Sequence, residues 1–386
     1  MAKKIALLGS TGSIGIQTLE IVRACSDEFE VVSLTAGSNW ELLARQAIEF
    51  GADSVAIADE RYYPQLRETL EKYPVKVYAG EDAVAQMTAG GEVDIVVNAI
   101  VGYAGMIPSV TAVKNGKRLA LANKESLVVA GEAIIAAAEE NGASIIPIDS
   151  EHSAILQSLA GEISPLRRVI ITASGGPFLR TLATELPHVT PQQALRHPNW
   201  SMGPKISVDS STLINKGFEV IEAKWLFGLE PEEIEVLIHP QSVIHSMVEF
   251  EDGAIKAQLG LPDMRQPIQY ALKFPVRNDY GGGRFDFLKN PALTFEEVDH
   301  NRFPGLGIAY ECMRRGGTAA CAMNAANEVA VEAFLQGKIK YTDIVKTIES
   351  TLGRMVFIAG PGLDDYKACD AEARSLAKSF IGTRPD

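Results

Sequence analysis

Residues 5–15 read IALLGSTGSIG: an apolar run, a turn carrying Gly9, Gly12 and Gly15, and the opening of an amphipathic helix. That order decides the fold. Glycine is needed where a strand turns sharply into a helix, because the backbone must approach a pyrophosphate and the helix N-terminus must offer it N–H groups and a positive dipole. The spacing is G-x-x-G-x-x-G rather than G-x-G-x-x-G, so the glycines alone say little and their place between strand and helix carries the reading. A glycine-rich turn that binds nothing is the plain alternative.

Working outward, β-rich apolar runs at residues 30–35, 54–58, 93–99, 118–122 and 144–148 alternate with helical periodicity at 14–24, 40–49, 64–73 and 127–141. This alternation predicts an α/β fold with a doubly wound, Rossmann-like parallel sheet over residues 1–149. The rhythm then changes. Strands at 167–173, 234–238, 243–250 and 254–259, with a helix near 215–227, predict a central α/β catalytic domain, residues 150–280, with a mixed or antiparallel sheet. Residues 281–300 open on Gly281, Gly282 and Gly283 and read as a linker, and helical runs at 318–336, 342–352 and 368–380 predict a C-terminal helical domain, 301–386.

A chain of 386 residues exceeds what one hydrophobic core usually serves, which fits several domains. Its formal charge of −13 repels nucleic-acid phosphates and anionic membrane surfaces, so neither is an expected partner. No apolar run approaches the roughly 20 residues of a membrane span. Cys25, Cys312, Cys321 and Cys369 are too scattered for a zinc ribbon or a disulfide scaffold, which fits a reducing cytosol. The first strand follows Met1-Ala-Lys-Lys at once, so we expect no targeting segment and a cytoplasmic location. An anionic substrate must then meet a local positive cluster that overturns the global sign.

The second strand ends in Thr35-Ala36-Gly37-Ser38-Asn39, without the carboxylate that accepts from the ribose 2′-OH of NAD. Nothing there repels a 2′-phosphate, which favours NADPH. The sixth strand ends in Asp149-Ser150-Glu151-His152, at the sheet edge where ligands of open α/β folds bind. In extended conformation Asp149 and Glu151 project to one face and can share a cation; the same spacing also suits an acidic pair capping a helix. Glu219 is the candidate third ligand, four residues from Asn215 on a helix face with Lys216 adjacent; taken alone it reads sooner as a surface helix charge. Oxygen ligands select Mg²⁺ or Mn²⁺ over Zn²⁺. Lys124, in Asn123-Lys124-Glu125 after the fifth strand, can reach a substrate oxygen or stay a solvated loop residue.

Ser174-Gly175-Gly176-Pro177 and Ser210-Ser211-Thr212 offer hydroxyls near Asn215 and Lys216, a donor set suited to a phosphate monoester and equally to ordinary turns and caps. Residues 196–205, RHPNWSMGPK, are broken by two prolines and a glycine and form a loop. Trp200 and Met202 are costly to expose, so they close as a lid over a ligand or pack statically on the body. His197 contacts substrate or satisfies the loop. His245 reads as structural.

Taken together, GSTGSIG, ALANKESLV, PIDSEHSA, TASGGPF, HPNWSMGPKISVDSSTLINKGFEVIEA and HPQSVIHSMV resemble the 1-deoxy-D-xylulose 5-phosphate reductoisomerases of the non-mevalonate isoprenoid pathway, in order along nearly the whole chain. The resemblance implies a metal on Asp149, Glu151 and Glu219, and substrate contacts from Lys124, Ser150 and Glu151 at the carbonyl end. It implies Ser174, His197, Ser210, Asn215 and Lys216 at the phosphate end, with Trp200 and Met202 in the lid. Cofactor contacts fall on Thr11, Gly12, Ser13, Ile14, Gly37, Ser38, Asn39, Asn123, Glu125 and Gly203. Some members carry a basic residue where Ser38 stands, which bears on the strength of the NADPH preference. The implied reaction is a skeletal rearrangement to an aldehyde followed by hydride delivery, in a homodimeric enzyme. Two other readings compete: a semialdehyde or homoserine-type dehydrogenase, which leaves the carboxylates unexplained, and a non-enzymatic NADPH-binding redox sensor, which predicts indifference to metal.

Overall fold

The computed structural model describes residues 2–200 and 202–382; Ser201 of the expected lid and the last four residues of the expected C-terminal domain lie outside them. Its contacts divide the chain into two compact units. The first comprises residues 1–126, 132–153 and 263–282, and the second comprises 127–131, 154–262 and 283–386.

In the first unit the chain runs β1 Lys3–Leu8, α1 Ser13–Ala24, β2 Phe29–Ala36, α2 Trp40–Phe50, β3 Ser54–Ile57, α3 Tyr63–Leu70, β4 Lys76–Ala79 and α4 Glu81–Gln86. It continues with β5 Ile95–Asn98, α5 Met106–Lys114, β6 Arg118–Leu121, α6 Lys124–Glu140, β7 Ile145–Pro147 and the start of α7 Ser150–Leu159. The strands form one parallel sheet in the order β4-β3-β2-β1-β5-β6-β7, doubly wound about β1. Strand order reverses between β1 and β5, so the glycine turn after β1 stands at the switch point where such folds bind ligands. The sheet has seven strands where the sequence shows six. β4 was not legible because it is a four-residue edge strand, half-exposed along its length, without the continuous apolar run of a buried parallel strand.

Across the second unit the elements are β8 Leu166–Ala173, α8 Pro191–Ala194, α9 Pro204–Ser211, α10 Ile214–Phe227, β9 Ile234–Ile238, β10 Ile244–Phe250 and β11 Ile255–Leu259. After α11 Arg265–Lys273 come α12 Gly305–Arg315, α13 Ala319–Leu335, α14 Tyr341–Leu352 and α15 Leu363–Gly382. The second sheet is mixed, ordered β11-β10-β8-β9 with only the β8–β9 pair parallel. One core of this unit joins the sheet residues Val169 and Ile171 to Phe218 of α10, Met323 of α13 and Ile344 of α14.

Two boundaries differ from the sequence reading. Residues 263–282, expected in the central domain, belong to the first unit: Lys273 of α11 meets Glu28 at 2.6 Å and Arg118 donates to the Phe274 carbonyl. The C-terminal helices share the second unit's core rather than forming a body of their own. Among the described residues no helix is long and apolar enough to cross a membrane.

Candidate active site

The glycine turn is built by contacts across β1 and β2. Gly9 has φ +75°, and a Cβ there would lie 2.7 Å from the Ala99 carbonyl oxygen; a Cβ on Gly15 would lie 2.3 Å from that of Gly9. Neither position admits a side chain. The Gly9 N–H donates to the Thr35 hydroxyl and the Ser10 N–H to the Thr35 carbonyl, so the turn is bonded to the end of β2. That brings Thr11, Gly12, Ser13 and Ile14 to the same sheet edge as Gly37, Ser38 and Asn39. Gly12 is the N-cap of α1 and supplies no side-chain cap, which leaves first-turn N–H groups directed outward. Asn39 caps α2 by accepting from the Leu42 N–H. Buried Gln46, which sequence reasoning passed over, pins the turn by accepting from the Ser10 hydroxyl and donating to the Ser10 carbonyl. Its signal was a polar residue on the apolar face of α2.

The paired register of β6 and β7 explains the next feature. Leu121 lies opposite Pro147, so Lys124 and Asp149, each just beyond its strand, arrive side by side with Nζ and Oδ2 2.5 Å apart. Both are buried, at 7% and 8% side-chain exposure, and Asp149 also faces the His152 ring at 3.4 Å. Burial pushes the Asp149 carboxyl up, but the Lys124 ammonium and His152 outweigh it and hold it well below the usual carboxylate range. His152 sits in the quoted motif but was given no role; its signal was the i,i+3 spacing from Asp149.

Two local expectations differ from the structure. Asp149 and Glu151 are not on an extended segment, because α7 begins at Ser150: the Asp149 carbonyl accepts from Ser153 N–H and its Oδ1 from Glu151 N–H at 3.2 Å, so Asp149 does cap a helix. α6 starts at Lys124 rather than Leu127, so Lys124 is a first-turn residue and no solvated loop lysine. The side chain of Asn123 is committed inside the protein, capping α6 through Ser126 N–H and donating to the Ile100 and Gly102 carbonyls. Glu125 accepts from that same amide and is buried. Ser150 donates to Glu151, and both are half-buried.

In the second unit, His197 Nδ1 accepts from the N–H groups of Asn199 and Trp200, which puts the proton on Nε2. Nε2–H therefore donates to Ser174 Oγ at 2.9 Å, which also accepts from Gly176 N–H. Asn199 ties the loop to the Pro240 carbonyl and the Ser242 hydroxyl, and the Trp200 ring lies 5.9 Å from that of His245. Trp200 and Met202 are half-buried. Gly203, expected among the cofactor contacts, is exposed at the N-cap of α9 in this unit.

Ser210 near the end of α9 is followed by Leu213, a buried residue with φ +58°. A branched side chain in the left-handed region costs about 1–3 kcal/mol, and such strain concentrates at functional sites. α10 then presents the expected face. Asn215 and Lys216 both donate to Glu219, whose carboxylate is 1% exposed. Half-buried Lys205 and buried Asp209, also unassigned from sequence, form a further ion pair at 2.9 Å.

A doubly wound fold with a glycine turn at its switch point is that of an α/β oxidoreductase working with a nucleotide cofactor. Comparison narrows the class. Family models described as 1-deoxy-D-xylulose 5-phosphate reductoisomerase, its C-terminal domain, and DXP reductoisomerase C-terminal domain match residues 5–131, 145–227 and 259–376. The Bacteroides fragilis protein of that name is 54% identical over 98% of both chains, and that of Chlorobium chlorochromatii 49% over 98% of this chain and all of its own. Among solved structures, the Zymomonas mobilis reductoisomerase in complex with NADPH is 43% identical with a TM-score of 0.92 over 100% of both chains. A DOX-P reductoisomerase in complex with NADPH, fosmidomycin and magnesium is 38% identical, TM-score 0.94, over 98% of each. The chain belongs to the 1-deoxy-D-xylulose 5-phosphate reductoisomerase family.

Proposed function

We propose that the chain catalyses the NADPH- and divalent-metal-dependent reductive isomerisation of 1-deoxy-D-xylulose 5-phosphate to 2-C-methyl-D-erythritol 4-phosphate. The observation that carries this reading is the end-to-end match, at 54% identity, to a relative of that name. The match speaks for the reductoisomerase over the homoserine-type dehydrogenase and the redox sensor.

The residues present fit both helpers. A turn closed to any Cβ at Gly9 and Gly15, beside an α1 without side-chain cap, suits a pyrophosphate, and the absence of a carboxylate at residues 37–39 suits a 2′-phosphate. Asp149, Glu151 and Glu219 are hard oxygen donors suited to Mg²⁺ or Mn²⁺. When bound, NADPH supplies the hydride, and the dication polarises the substrate's hydroxyl and carbonyl oxygens and stabilises developing negative charge.

The chain's own groups do the rest. Lys124, held beside Asp149, donates to a substrate oxygen at the carbonyl end, with Ser150 and Glu151 next to it. Ser174 Oγ already accepts two hydrogen bonds, so what it offers a ligand is its hydroxyl proton, the role a phosphate oxygen requires. Ser210, Asn215 and Lys216, with His197 behind Ser174, complete the phosphate end and supply the positive character that an acidic protein must concentrate locally. Trp200 and Met202 exclude water when substrate is present. The enzyme works as a cytoplasmic homodimer.

Loss of NADPH absorbance should require both 1-deoxy-D-xylulose 5-phosphate and Mg²⁺ or Mn²⁺. Glu151→Gln and Glu219→Gln should bind NADPH nearly as the parent does while losing metal-supported turnover; full activity of both variants in chelator-treated buffer would refute the assignment.

A further inference from the structure

α9 is an eight-residue helix between the loop at 196–203 and the strained Leu213, and it carries Ser210. So short a helix has little stability of its own, and its place is set by what it is bonded to. The bonds are specific. Asp209 is 1% exposed, and a carboxylate so buried needs partners; Lys205 Nζ approaches its Oδ2 at 2.9 Å and Asn327 of α13 donates to its Oδ1 at 2.8 Å. Two residues on, the Ser211 carbonyl is among the last four of α9 and has no partner within the helix. It accepts the Tyr341 hydroxyl, from the first residue of α14, at 2.6 Å.

Both donors are buried, Asn327 completely, and burial raises the Tyr341 phenol, so it stays a protonated donor. At the same end of α9, against Ser210 and Ser211, lies the Ser174 loop. A Cβ on Gly176 would fall 2.8 Å from the Ser210 carbonyl oxygen and 3.0 Å from Ser211 Cα, so the two backbones touch. Ser174 and Ser210 are thus located with respect to each other by backbone contact, and α9 is located by two side chains more than a hundred residues away. An apolar pair would pack α9 as well, yet it would not fix its rotation and rise. Directional bonds at Asp209 and Ser211, two residues apart, fix both.

We propose that Asn327 and Tyr341 are positioning residues for the phosphate end of the substrate, holding α9 so that Ser210 and the Ser174 loop present their donors in register. This gives the C-terminal helices a part in substrate affinity, and it rests on Ser174 and Ser210 binding phosphate.

The test compares Tyr341→Phe and Asn327→Leu with Ser210→Ala in the full-length, metal-supplemented enzyme. KM for 1-deoxy-D-xylulose 5-phosphate, kcat, the Kd for NADPH and the thermal midpoint are measured for each. Removing either bond should raise KM about tenfold, change kcat less than about twofold and leave the NADPH Kd unaltered. Parent-like KM in both distal variants, with only the midpoint lowered, would reduce the two residues to core supports and overturn the inference while Ser210→Ala still raises KM. If Ser210→Ala itself leaves KM unchanged, the phosphate reading fails and the inference with it. Tyr341→Phe deletes a single oxygen, so the comparison survives even if Asn327→Leu does not fold.

Discussion

Gly217→Ala tests how tightly the α10 residues are held. Gly217 lies in α10 between Lys216 and Glu219, and a Cβ there would fall 2.6 Å from Ala309 Cβ and 3.4 Å from the Gly305 carbonyl oxygen on α12. Carbons in contact rest about 3.5–4.0 Å apart, so α10 and α12 must separate by roughly 1 Å. Neither neighbour can rotate away, one being a Cβ and the other backbone. Against this, alanine is the better helix former by about 1 kcal/mol. Overpacking of a filled core costs about 1–3 kcal/mol, and with backbone in the way the upper half applies, so the net loss should be about 1–2 kcal/mol. The catalytic effect should be larger, because a shift of about 1 Å at positioned groups can lower a rate about a hundredfold. Urea unfolding followed by tryptophan emission reports on this unit through Trp200 and Trp225, with Trp40→Phe as background to remove the signal of the first unit. Steady-state kinetics supplies kcat/KM. Adding Ala309→Gly should recover most of the activity by reopening the gap. A Gly217→Ala protein as stable and as active as the parent would show that the α10–α12 contact is loose and does not set Lys216 and Glu219.

Trp200→Ala should weaken substrate capture, raising KM several-fold, with little change in the denaturant midpoint, because the ring is only half-buried against His245; a large stability loss with unchanged kinetics would make it a packing residue. Lys124→Met should destabilise the metal-free protein by about 3–5 kcal/mol at neutral pH by leaving Asp149 buried and short of its main counter-charge. The folded Asp149 carboxyl lies below its ordinary value, so its charge contributes stability above the unfolded pKa of about 4 and loses it as pH falls. In the variant the carboxyl protonates earlier, so the stability gap should narrow toward pH 4 in urea melts; a gap constant from pH 4 to 8 would mean the ion pair is not its source.

What the sequence disclosed and what it hid follow one physical division. β1, the glycine turn and α1 were legible because period and spacing are local, and so was the Asn215 to Glu219 face, one helical turn long. The Lys124–Asp149 pair was not, since it depends on the register of β6 against β7, which no local pattern states. α11 was hidden for the same reason at longer range: its place in the first unit rests on contacts such as Lys273 to Glu28, 245 residues apart. The Lys205–Asp209 pair drew no notice in the sequence, because the burial of Asp209 rests on packing that includes Asn327 on α13, 118 residues away.

Asp149 shows why the sequence could not choose between a capping carboxylate and a metal ligand. The two roles use different lone pairs. A carboxylate offers about four acceptor sites, and the cap takes one on Oδ1 while the Lys124 ammonium sits at Oδ2. Capping also favours the charge a ligand needs, because the N-terminus of α7 stabilises a negative group in its first turn. An acidic residue closing a buried strand just before a helix is therefore driven toward the ionised form by the fold itself, with Lys124 completing what burial opposes. In the second unit Glu219 receives the corresponding donors from Asn215 and Lys216, one and nearly one helical turn away. The Asp149 charge is thus held by the backbone of α7 and by Lys124, so a dication at this carboxylate would have to compete with an ammonium rather than expel a proton.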